Sequence, residues 1–539
     1  MDVQHEETPN AGVESSKNER NSSFDPAIST GLLQIENSPP RSALLNSNPF
    51  PQNAPGASAA IGHTVENSIP LSIFPIQADK LCLCFCGKPA RGKTQISRRV
   101  ARYLSFFHAM PLQIFNVGEY RRRSGFTNLR DFDQLVFQPG YMERRDQCNE
   151  DAMNDMVEYM KGSAPRMAIY DAVNFNHGRR MAVYQKMREV GTKVVFVEVI
   201  NENQEFLKQQ YLLVAQTSPD YTSMSVEEAT SDYKRRVDSY CLHYVPLSAD
   251  HPIESRWSYF QCNHANSHFV IHKATGYYFT KVIHFIMNMN TSPHSFYLSR
   301  HGESEYNEVG RIGGNSSLSP NGRKYMEAIA EFAAEKINKD PVTGEDLPTR
   351  LWTSTMIRTI ETASMIPSPV ISVRDPNDPT NVIQWQQMRR RAWCNLDELY
   401  AGSCDGMTYE EIEEQFPEEF LRRKTDKLAY RYPRGESYLD VIARLEPMIM
   451  EMERHREPLL IISHQGILRI IYAFYMGLNR EDAPYASIPL NTVLELTPNA
   501  FGCSERRHVL VGFKTDDGQN EPHSKCLESK SRNDDPPSH

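Results

Sequence analysis

The sequence predicts two α/β domains in tandem, each built around a mostly parallel β-sheet. Three observations carry this prediction: short apolar runs typical of buried strands, helical patterns between them, and a second round of the same alternation after residue 290. Strands that alternate with helices form parallel sheets, because each crossover lays a helix on a face of the sheet. The 539 residues are enough for two such domains with sizeable cores.

The two ends of the chain differ in composition from the rest. Residues 1–75 are rich in Ser, Asn, Pro and Glu with few aromatic residues, and residues 516–539 have the same character. Such segments bury too little apolar surface to offset their chain entropy, so we expect both to be disordered. The predicted domains are residues 76–290 and 291–515, divided near "NMNTSPHS".

The net charge of −9 excludes a protein whose whole body is basic, as nucleic-acid and membrane-surface proteins often are. The N-terminus lacks a basic start followed by an apolar core, and no apolar run is long enough to span a membrane. No CxxC pair supports a zinc site. We therefore expect a cytoplasmic protein with reduced thiols and with neither nucleic acid nor membrane as a partner.

The first region opens with "KLCLCFCGKPARGKT", residues 80–94. Its cysteines Cys82, Cys84 and Cys86 alternate, which places them on one face of a strand as buried thiols. Further strands are predicted at 166–173 and 192–200, and the helical pattern between them ends at a glycine.

"GKPARGKT" matches the phosphate-binding pattern GxxxxGK[ST], between a predicted strand and a predicted helix. Gly87 and Gly92 let backbone N–H groups curl round a polyphosphate, and the helix adds the positive end of its dipole. Lys93 is predicted to reach the β- and γ-phosphates of ATP, and Thr94 to hold Mg²⁺. The alternative is a glycine-rich turn that binds no ligand.

Asp171 ends a predicted strand, where a carboxylate faces the ligand crevice of a parallel sheet. It is predicted to hold Mg²⁺ or to accept a proton from a substrate hydroxyl, and the alternative is that it caps the next helix. Arginines are dense nearby and predict a clamp for a second, phosphorylated substrate, because guanidinium pairs bidentately with phosphate. These are Arg121, Arg122, Arg145, Arg179 and Arg236.

The second region opens with "YLSRHGESEYNEVGRIGG", residues 297–314. Arg300 and His301 follow one predicted buried strand, His464 follows another, and Arg358 comes shortly after a third. Because the carboxyl ends of parallel strands meet at one crevice, we expect these four side chains to converge.

These residue types suit phosphoryl transfer. A neutral imidazole can attack phosphorus and hold it as a phosphohistidine, so His301 is the predicted nucleophile. The two arginines and the second histidine would stabilise charge on the equatorial oxygens. A general acid must protonate the leaving alkoxide; Glu398 is the candidate and Asp397 its rival. No metal is required, since the arginines supply the positive charge.

From residue 78 to about 512, these motifs resemble those of the bifunctional 6-phosphofructo-2-kinase/fructose-2,6-bisphosphatases. Matching pieces include "GKPARGKT", "FNVGEYRR", "YDAVN", "SPDY", "LSRHGES", "GRIGG" and "ISHQGILR". The RHG signature is shared with phosphoglycerate mutases, whereas "YRYPRGESY" and "RLEP" are specific to the bifunctional enzymes. The resemblance implies a P-loop kinase domain with a parallel sheet, followed by a histidine-phosphatase domain of the phosphoglycerate-mutase type.

The resemblance also implies roles for further side chains. Asn307 joins the phosphate pocket, and His301 and Glu398 match the nucleophile and the acid. The positions that would hold fructose 2,6-bisphosphate are Arg311, Gly313, Tyr409, Arg423, Lys427, Tyr438, Gln465 and Arg469. In the kinase half, Arg145, Arg179, Arg236 and Tyr240 match the family's sugar-phosphate positions, and Arg121 and Arg122 are predicted beside them from the density of arginines alone.

Several features depart from the family pattern. Val173 replaces a hydroxyl residue expected to touch the sugar, and Leu212 and Ala215 stand where the family has lysines shortly before "SPDY". Tyr400 replaces an aspartate, and an insertion at 368–391 precedes the acid loop. Because a lost lysine removes charge stabilisation from the transferred phosphate, we expect ATP binding with weak phosphoryl transfer.

The leading hypothesis is a fructose-2,6-bisphosphatase that acts through a phosphohistidine and carries an ATP-binding kinase domain of reduced or doubtful activity. The alternatives are a fully bifunctional enzyme and, from another class, a nucleotide-sensing regulatory protein. The expected ligands are fructose 2,6-bisphosphate and fructose 6-phosphate, with ATP and Mg²⁺ for the kinase half. Such an enzyme would control the level of fructose 2,6-bisphosphate and thereby glycolysis. The choice between a monomer and a homodimer stays open.

Overall fold

A computed structural model describes residues 80–125, 139–162, 164–291, 294–374, 380–499 and 502–511. The predicted disordered segments, residues 1–75 and 516–539, lie outside these ranges. Within the described ranges, no helix is both long enough and apolar enough to cross a lipid bilayer.

The described residues of the first region form a six-stranded sheet in the order β2-β3-β1-β4-β5-β6. The strands are β1 (Leu81–Cys86), β2 (Leu112–Asn116), β3 (Met167–Asp171), β4 (Lys193–Val199), β5 (Ser258–Asn263) and β6 (His268–His272). Strands β1 to β5 pair in parallel, and β6 pairs antiparallel with β5 at one edge. The prediction of a mostly parallel sheet is confirmed.

The alternation in β1 divides that strand between two cores. Its three cysteines pack with Tyr170 and Phe196 on one face of the sheet, while Leu83 and Phe85 belong to the core on the other face. Burial raises the pKa of Cys82 to about 12, so this thiol stays protonated. The predicted burial of these three cysteines is therefore confirmed.

Helices cover both faces of this sheet. They are α1 (Lys93–His108), α2 (Val117–Arg123), α3 (Pro139–Met160), α4 (His177–Glu189), α5 (Gln204–Thr217), α6 (Val226–His243) and α7 (Tyr277–Asn288). Helices α1 and α7 pack on the face of Leu83, and α3 and α4 pack on the cysteine face. The glycine stop predicted after α4 is Gly191, which has a φ of 68°.

The second region forms another six-stranded sheet among its described residues, in the order β11-β8-β12-β7-β13-β14. Its strands, with a separate hairpin, are β7 (Phe296–Arg300), β8 (Arg350–Thr353), β9 (Val370–Arg374), β10 (Val382–Gln386), β11 (Arg389–Ala392), β12 (Leu459–Ser463), β13 (Thr492–Pro498) and β14 (Cys503–Val509). Strands β11, β8, β12 and β7 pair in parallel. Strand β13 pairs antiparallel with both of its neighbours, β7 and β14.

The insertion at 368–391 forms the antiparallel hairpin β9–β10 and then β11, which extends the edge of the sheet. Trp385 anchors the hairpin: its indole N–H donates to the Thr349 carbonyl at 3.1 Å, and the Arg350 guanidinium lies 4.5 Å from its ring centroid. The hairpin therefore packs on the amino end of β8 and not at the end where the catalytic histidines are predicted.

The helices of the second region connect these strands. They are α8 (Glu305–Glu308), α9 (Pro320–Phe332), α10 (Ile357–Thr362), α11 (Tyr409–Gln415), α12 (Pro417–Thr425), α13 (Tyr438–Arg454) and α14 (Gln465–Met476). Because β7, β8 and β12 are parallel neighbours, His301, Ser354 and His464 all follow strand ends at the same edge of the sheet.

Two candidate active sites

The loop of residues 87–94 joins β1 to α1 and begins the first site. Gly87 has a φ of 130°, and a Cβ there would lie 2.5 Å from the Val199 carbonyl oxygen. Gly92 caps α1 with a φ of 87°. Both positions therefore require glycine for the tight, left-handed path of this loop. The Lys93 ammonium donates to the carbonyls of Gly87 and Lys88 at 2.9 and 2.7 Å.

Asp171 lies at the carboxyl end of β3, next to this loop. The Asn116 amide donates to its carboxylate at 2.6 Å, and the Thr94 hydroxyl also hydrogen-bonds to it. Burial raises the pKa of Asp171, although Thr94, the Lys93 charge and Asn116 act against that rise. A hydroxyl and a carboxylate side by side provide the hard oxygen ligands that Mg²⁺ prefers, so these residues fit a magnesium ion.

A cavity of about 550 Å³ opens beside Lys93 and Asp171. All six predicted sugar-phosphate residues line it: Arg121, Arg122, Arg145, Arg179, Arg236 and Tyr240. Arg121 and Arg122 pair with Asp220, and the Arg145 guanidinium lies 5.3 Å from the ring centroids of both Phe175 and Tyr240.

The electrostatics of this cavity favour an anion. Burial and the nearby Arg145 lower the pKa of Arg179 to about 10, even though Arg179 also pairs with Asp146. Burial lowers the pKa of Lys93 to about 8, and the Asp171 charge only partly offsets the effect. A bound phosphate would stabilise the charged forms of both side chains.

The departures from the family pattern lie at different distances from this cavity. Val173 lines it directly and presents an apolar surface to it. Ala215 is buried in a small cluster with Tyr221 and Tyr240 beside the cavity. Leu212 is 44% exposed and does not line it. Only the first two substitutions are therefore placed to affect chemistry there.

The second site is at the carboxyl edge of the other sheet. His301 and His464 lie with ring centroids 5.1 Å apart, and the Arg358 guanidinium Nε donates to His301 Nε2 at 3.1 Å. Arg300 is half-buried in the cavity of this site, and desolvation lowers its pKa to about 10. The structure thus brings together the four side chains that the strand pattern predicted to converge.

The protonation of His301 is fixed by its surroundings. Its Nδ1 is 2.7 Å from the Gly302 carbonyl, to which it donates when neutral, so its Nε2 carries the lone pair. Burial, and then the charges of Arg358 and Arg300, hold the pKa of His301 well below its usual value. A neutral imidazole with an available Nε2 is the form that can attack phosphorus.

Glu398 and Asp397, the rival acids, have different environments. Glu398 lines the second cavity, which has a volume of about 270 Å³, and lies against the start of α14 at Gly466. The Asp397 carboxylate accepts hydrogen bonds from the Thr355 N–H and hydroxyl at 2.7 and 2.6 Å. Asp397 does not line the cavity, so its contacts are those of a residue that holds the loop after β8.

The remaining predicted phosphate-pocket and substrate residues also line this cavity: Asn307, Arg311, Gly313, Tyr409, Arg423, Lys427, Tyr438, Gln465 and Arg469. Asn307 has a second, structural contact, because its side-chain oxygen accepts from the Ser304 N–H at 3.1 Å and caps α8. Gly313 has a φ of 67° and packs against Asp405, leaving no space for a side chain.

A second group of positive side chains, Arg423, Lys427 and Arg469, lines the same cavity. Arg423 donates to the Tyr409 hydroxyl at 3.0 Å, and the Lys427 ammonium donates to the Pro484 carbonyl at 3.0 Å. Burial, then Arg469 and Arg423, lower the pKa of Lys427 to about 8. Three cations in this arrangement repel one another, which is the electrostatic character of a site for a second phosphate.

Several side chains that support these sites were not predicted from the sequence. Asn116 contacts Asp171, Asp220 pairs with two arginines, and Ser354 contacts His464. Each lies far along the chain from its partner, so no local spacing connects them. The one available signal was that Ser354, like His464, comes at the end of a strand predicted in the second region; no strand was predicted before Asn116.

Two family models match the chain. Residues 72–293 match the 6-phosphofructo-2-kinase family, and residues 296–509 match the histidine phosphatase superfamily (branch 1). Each match contains one of the two cavities.

Curated relatives resemble both halves of the chain together. The 6-phosphofructo-2-kinase/fructose-2,6-bisphosphatase of Aquarana catesbeiana is 38% identical over 420 residues, which cover 77% of this chain and 82% of the relative. The Gallus gallus protein of the same name is 38% identical over 414 residues, covering 76% and 81%. The Homo sapiens 6-phosphofructo-2-kinase/fructose-2,6-bisphosphatase 1 is 37% identical over 420 residues, covering 77% and 82%.

Proposed function

Since this chain belongs to the 6-phosphofructo-2-kinase/fructose-2,6-bisphosphatase family, we propose that it both makes and hydrolyses fructose 2,6-bisphosphate, in the first and second cavities respectively. The names of the relatives favour a bifunctional enzyme over a phosphatase with a vestigial kinase domain. They also favour an enzyme over a nucleotide-sensing regulatory protein.

The observation that carries the phosphatase proposal is that two groups of positive side chains line one small cavity. One group is Arg300 and Arg358 around His301, and the other is Arg423, Lys427 and Arg469. A sugar with two phosphates can pair with both groups at once, whereas a monophosphate leaves part of this positive charge uncompensated. The cavity volume of about 270 Å³ suits a ligand of this size.

In the first step, His301 Nε2 attacks the phosphorus of the 2-phosphate and forms a P–N bond. The bond between phosphorus and the C2 oxygen breaks, and protonated Glu398 gives its proton to the leaving oxygen. Arg358 donates to His301 Nε2 in the absence of substrate, so it must transfer that hydrogen bond to a phosphoryl oxygen. The exchange removes a donor from the nucleophile and adds one to the developing negative charge.

In the second step, water attacks the phosphorus of the phosphohistidine. The Glu398 carboxylate takes a proton from that water, the P–N bond breaks, and inorganic phosphate is released. His301 returns to its neutral form, which its burial and neighbouring arginines favour. The cycle needs no residue outside the cavity for proton transfer.

In the kinase cavity, Gly87, Gly92 and Lys93 would bind the phosphates of ATP, while Thr94 and Asp171 would hold Mg²⁺. The ion, when bound, neutralises charge on the phosphates. The six arginine and tyrosine side chains across the cavity would hold fructose 6-phosphate. Its C2 hydroxyl attacks the γ-phosphorus, the bond to ADP breaks, and the hydroxyl proton passes to Asp171 or to solvent.

A slower kinase is the second candidate, and Val173 is the observation that favours it. Its apolar side chain lines the cavity where the family has a hydroxyl, and Ala215, where the family has a lysine, carries no charge of its own. Changing Val173→Thr together with Ala215→Lys is expected to raise kinase kcat with little change in ATP affinity. Leu212→Lys is the matched control, since it adds the same charge at an exposed position. A kcat unchanged by the double substitution would contradict this candidate.

The phosphatase proposal is tested by trapping the phosphoenzyme. With fructose 2,6-bisphosphate labelled at the 2-phosphate, rapid acid-free quenching is expected to give acid-labile, protein-bound label in the wild type and in His508→Ala. His508 pairs with Glu495, away from the cavity, and serves as the control histidine. His301→Ala should bind no label and should not hydrolyse the substrate. Acid-labile label on the His301→Ala protein would overturn the assignment.

A further inference from the structure

His464 is held at one ring nitrogen and not at the other. Its side chain is completely buried behind the wall of the second cavity, with its ring 5.1 Å from that of His301. The Nε2 atom lies 2.7 Å from the Ser354 hydroxyl oxygen. The Nδ1 atom is buried and has no hydrogen-bond partner among the described residues. A polar atom of this kind is costly unless a ligand pairs with it.

His464 is neutral in this environment, so its ring carries one proton. Burial, then the charges of Arg358, His301 and Arg300, hold its pKa well below the usual value. The proton therefore resides on Nε2, facing Ser354, or on Nδ1. Only the Nδ1–H tautomer can donate a hydrogen bond from Nδ1 to a phosphoryl oxygen. In the Nε2–H tautomer the lone pair at Nδ1 would repel an anion.

The hydroxyl of Ser354 can support either tautomer. It lies 2.8 Å from the Thr359 hydroxyl and accepts from the Met356 N–H at 3.2 Å. If the Thr359 hydroxyl donates to Ser354, then the Ser354 hydroxyl donates to His464 Nε2. Ser354 then makes three hydrogen bonds, because it accepts two and donates one. If His464 Nε2–H donates instead, Ser354 donates to Thr359, whose proton then goes to the Met356 carbonyl at 2.8 Å. In both arrangements the Ser354 and Thr359 hydroxyls each have an acceptor for their proton.

We propose that Ser354 is a positioning residue that selects the Nδ1–H tautomer of His464 when a phosphoryl group occupies the second cavity. When the Ser354 and Thr359 hydroxyls rotate, the Ser354 O–H turns from Thr359 to His464 Nε2. The imidazole proton is then on Nδ1, where it can be donated to the anion. The hydrogen bond from the Ser354 hydroxyl to Nε2 and the charge-assisted hydrogen bond from Nδ1–H to a phosphoryl oxygen stabilise the same tautomer, so each strengthens the other. This inference rests on the proposed phosphatase function and concerns the transition state as much as the bound product.

The tautomer can be measured without turnover. In protein with ¹⁵N-labelled histidine and bound inorganic phosphate, the His464 resonances, assigned with His464→Gln, should show a protonated Nδ1 and an unprotonated Nε2. Ser354→Ala removes the only described donor to Nε2, so Nε2–H should become populated. Ser299→Ala is the matched control: this buried serine on β7 hydrogen-bonds the Tyr325 hydroxyl and the Arg300 carbonyl, each at 2.7 Å, and forms no hydrogen bond to a histidine among the described residues. It should leave the tautomer unchanged.

The kinetic counterpart separates positioning from packing. Ser354→Ala should lower phosphatase kcat roughly tenfold to a hundredfold, the range typical of a lost orienting contact, with a much smaller change in KM. Ser299→Ala should lose far less. Retention of the Nδ1–H signature in Ser354→Ala, or equal losses in the two alanine variants, would overturn the proposal. If the wild type fails to hydrolyse fructose 2,6-bisphosphate, the proposed function fails, while the phosphate-bound spectra still test Ser354.

Discussion

At the scale of single residues, positive charge dominates the phosphatase cavity: five arginines and one lysine are among the described residues that line it, with Glu398 as the one carboxylate among them. Lys427 shows the effect most clearly, because burial and then Arg469 and Arg423 lower its pKa to about 8. Its ammonium is charged below that pH and neutral above it. The group that would bind the second phosphate therefore loses its charge within an accessible pH range.

We expect kcat/KM for fructose 2,6-bisphosphate to fall as pH rises through about 8, since this ratio reports the ionisation of free enzyme. Lys427→Arg keeps the charge at all these pH values and should remove the fall, because guanidinium does not titrate there. The measurement is a pH profile of both proteins. A fall of equal size in Lys427→Arg would assign the titration to another group.

The choice of acid is also a residue-scale question. Glu398→Gln is expected to lower phosphatase kcat by roughly 10²- to 10⁴-fold with little effect on substrate binding, since the proton is needed only as the leaving oxygen departs. Asp397→Asn should lower kcat far less, because Asp397 hydrogen-bonds Thr355 and does not line the cavity. Steady-state kinetics of both variants measure these losses of kcat. A larger loss of kcat in Asp397→Asn than in Glu398→Gln would identify Asp397 as the general acid.

At the scale of strands and helices, the sequence predicts well what a local pattern encodes. The strand–glycine loop–helix unit at residues 81–108 and the histidines after β7 and β12 depend on alternation and spacing alone. The antiparallel pair β13–β14 and the hairpin β9–β10 were not predicted, although the paired strands lie close together in sequence. Strands β9, β10 and β14 are exposed or half-buried and so lack the buried apolar run by which the other strands were recognised. Ser354 could be placed near His464 only from the three-dimensional structure, because the two residues are 110 positions apart in the chain.

The hairpin formed by the insertion is expected to contribute to stability and not to catalysis. Trp385→Ala removes the hydrogen bond to Thr349 and the Arg350 contact, and should lower the free energy of unfolding by about 2 kcal/mol. Phosphatase kcat should stay within twofold of wild type, because no described residue of the hairpin lines the cavity. Val382→Ala, on the exposed side of the same hairpin, is the control. A large loss of kcat at unchanged stability would contradict this account.

At the scale of the whole molecule, the helix that begins at the phosphate loop also packs against the phosphatase helices. In α1, the Tyr103 hydroxyl donates to Glu446 of α13 at 2.6 Å, and the Arg102 guanidinium donates to the Tyr475 carbonyl of α14 at 2.9 Å. Arg99 pairs with Glu453, and one hydrophobic core continues from α1 into α13 and α14. The two regions therefore share a core through this helix.

Glu446 is the most heavily bonded charge at this contact. Burial acts to raise the pKa of Glu446, but hydrogen bonds from His108, Lys281 and Tyr103 outweigh it. The pKa is lowered to about 2, against 4.5 in an unfolded chain. Because the folded pKa is the lower one, this stabilisation is complete above pH 4.5 and is lost as pH falls toward 2.

Glu446→Gln should therefore lower the free energy of unfolding by about 2 kcal/mol at neutral pH, the order of a hydrogen-bonded charge. The difference from wild type should shrink as pH falls below 4.5. Denaturant unfolding at several pH values measures both effects. Glu451→Gln, in a surface pair with Arg454 on the same helix, should cost less than about 1 kcal/mol. A constant difference across pH would contradict the assigned ionisation.

The central claim is that one chain carries two opposing reactions in separate cavities, and the most direct test is formation of fructose 2,6-bisphosphate by the His301→Ala protein. Supplied with fructose 6-phosphate and MgATP, this variant should accumulate the bisphosphate, because its kinase cavity is intact and its hydrolytic nucleophile is gone. Lys93→Met, measured in parallel, should form none. If His301→Ala accumulates no more bisphosphate than Lys93→Met, the claim of a working kinase beside the phosphatase is contradicted.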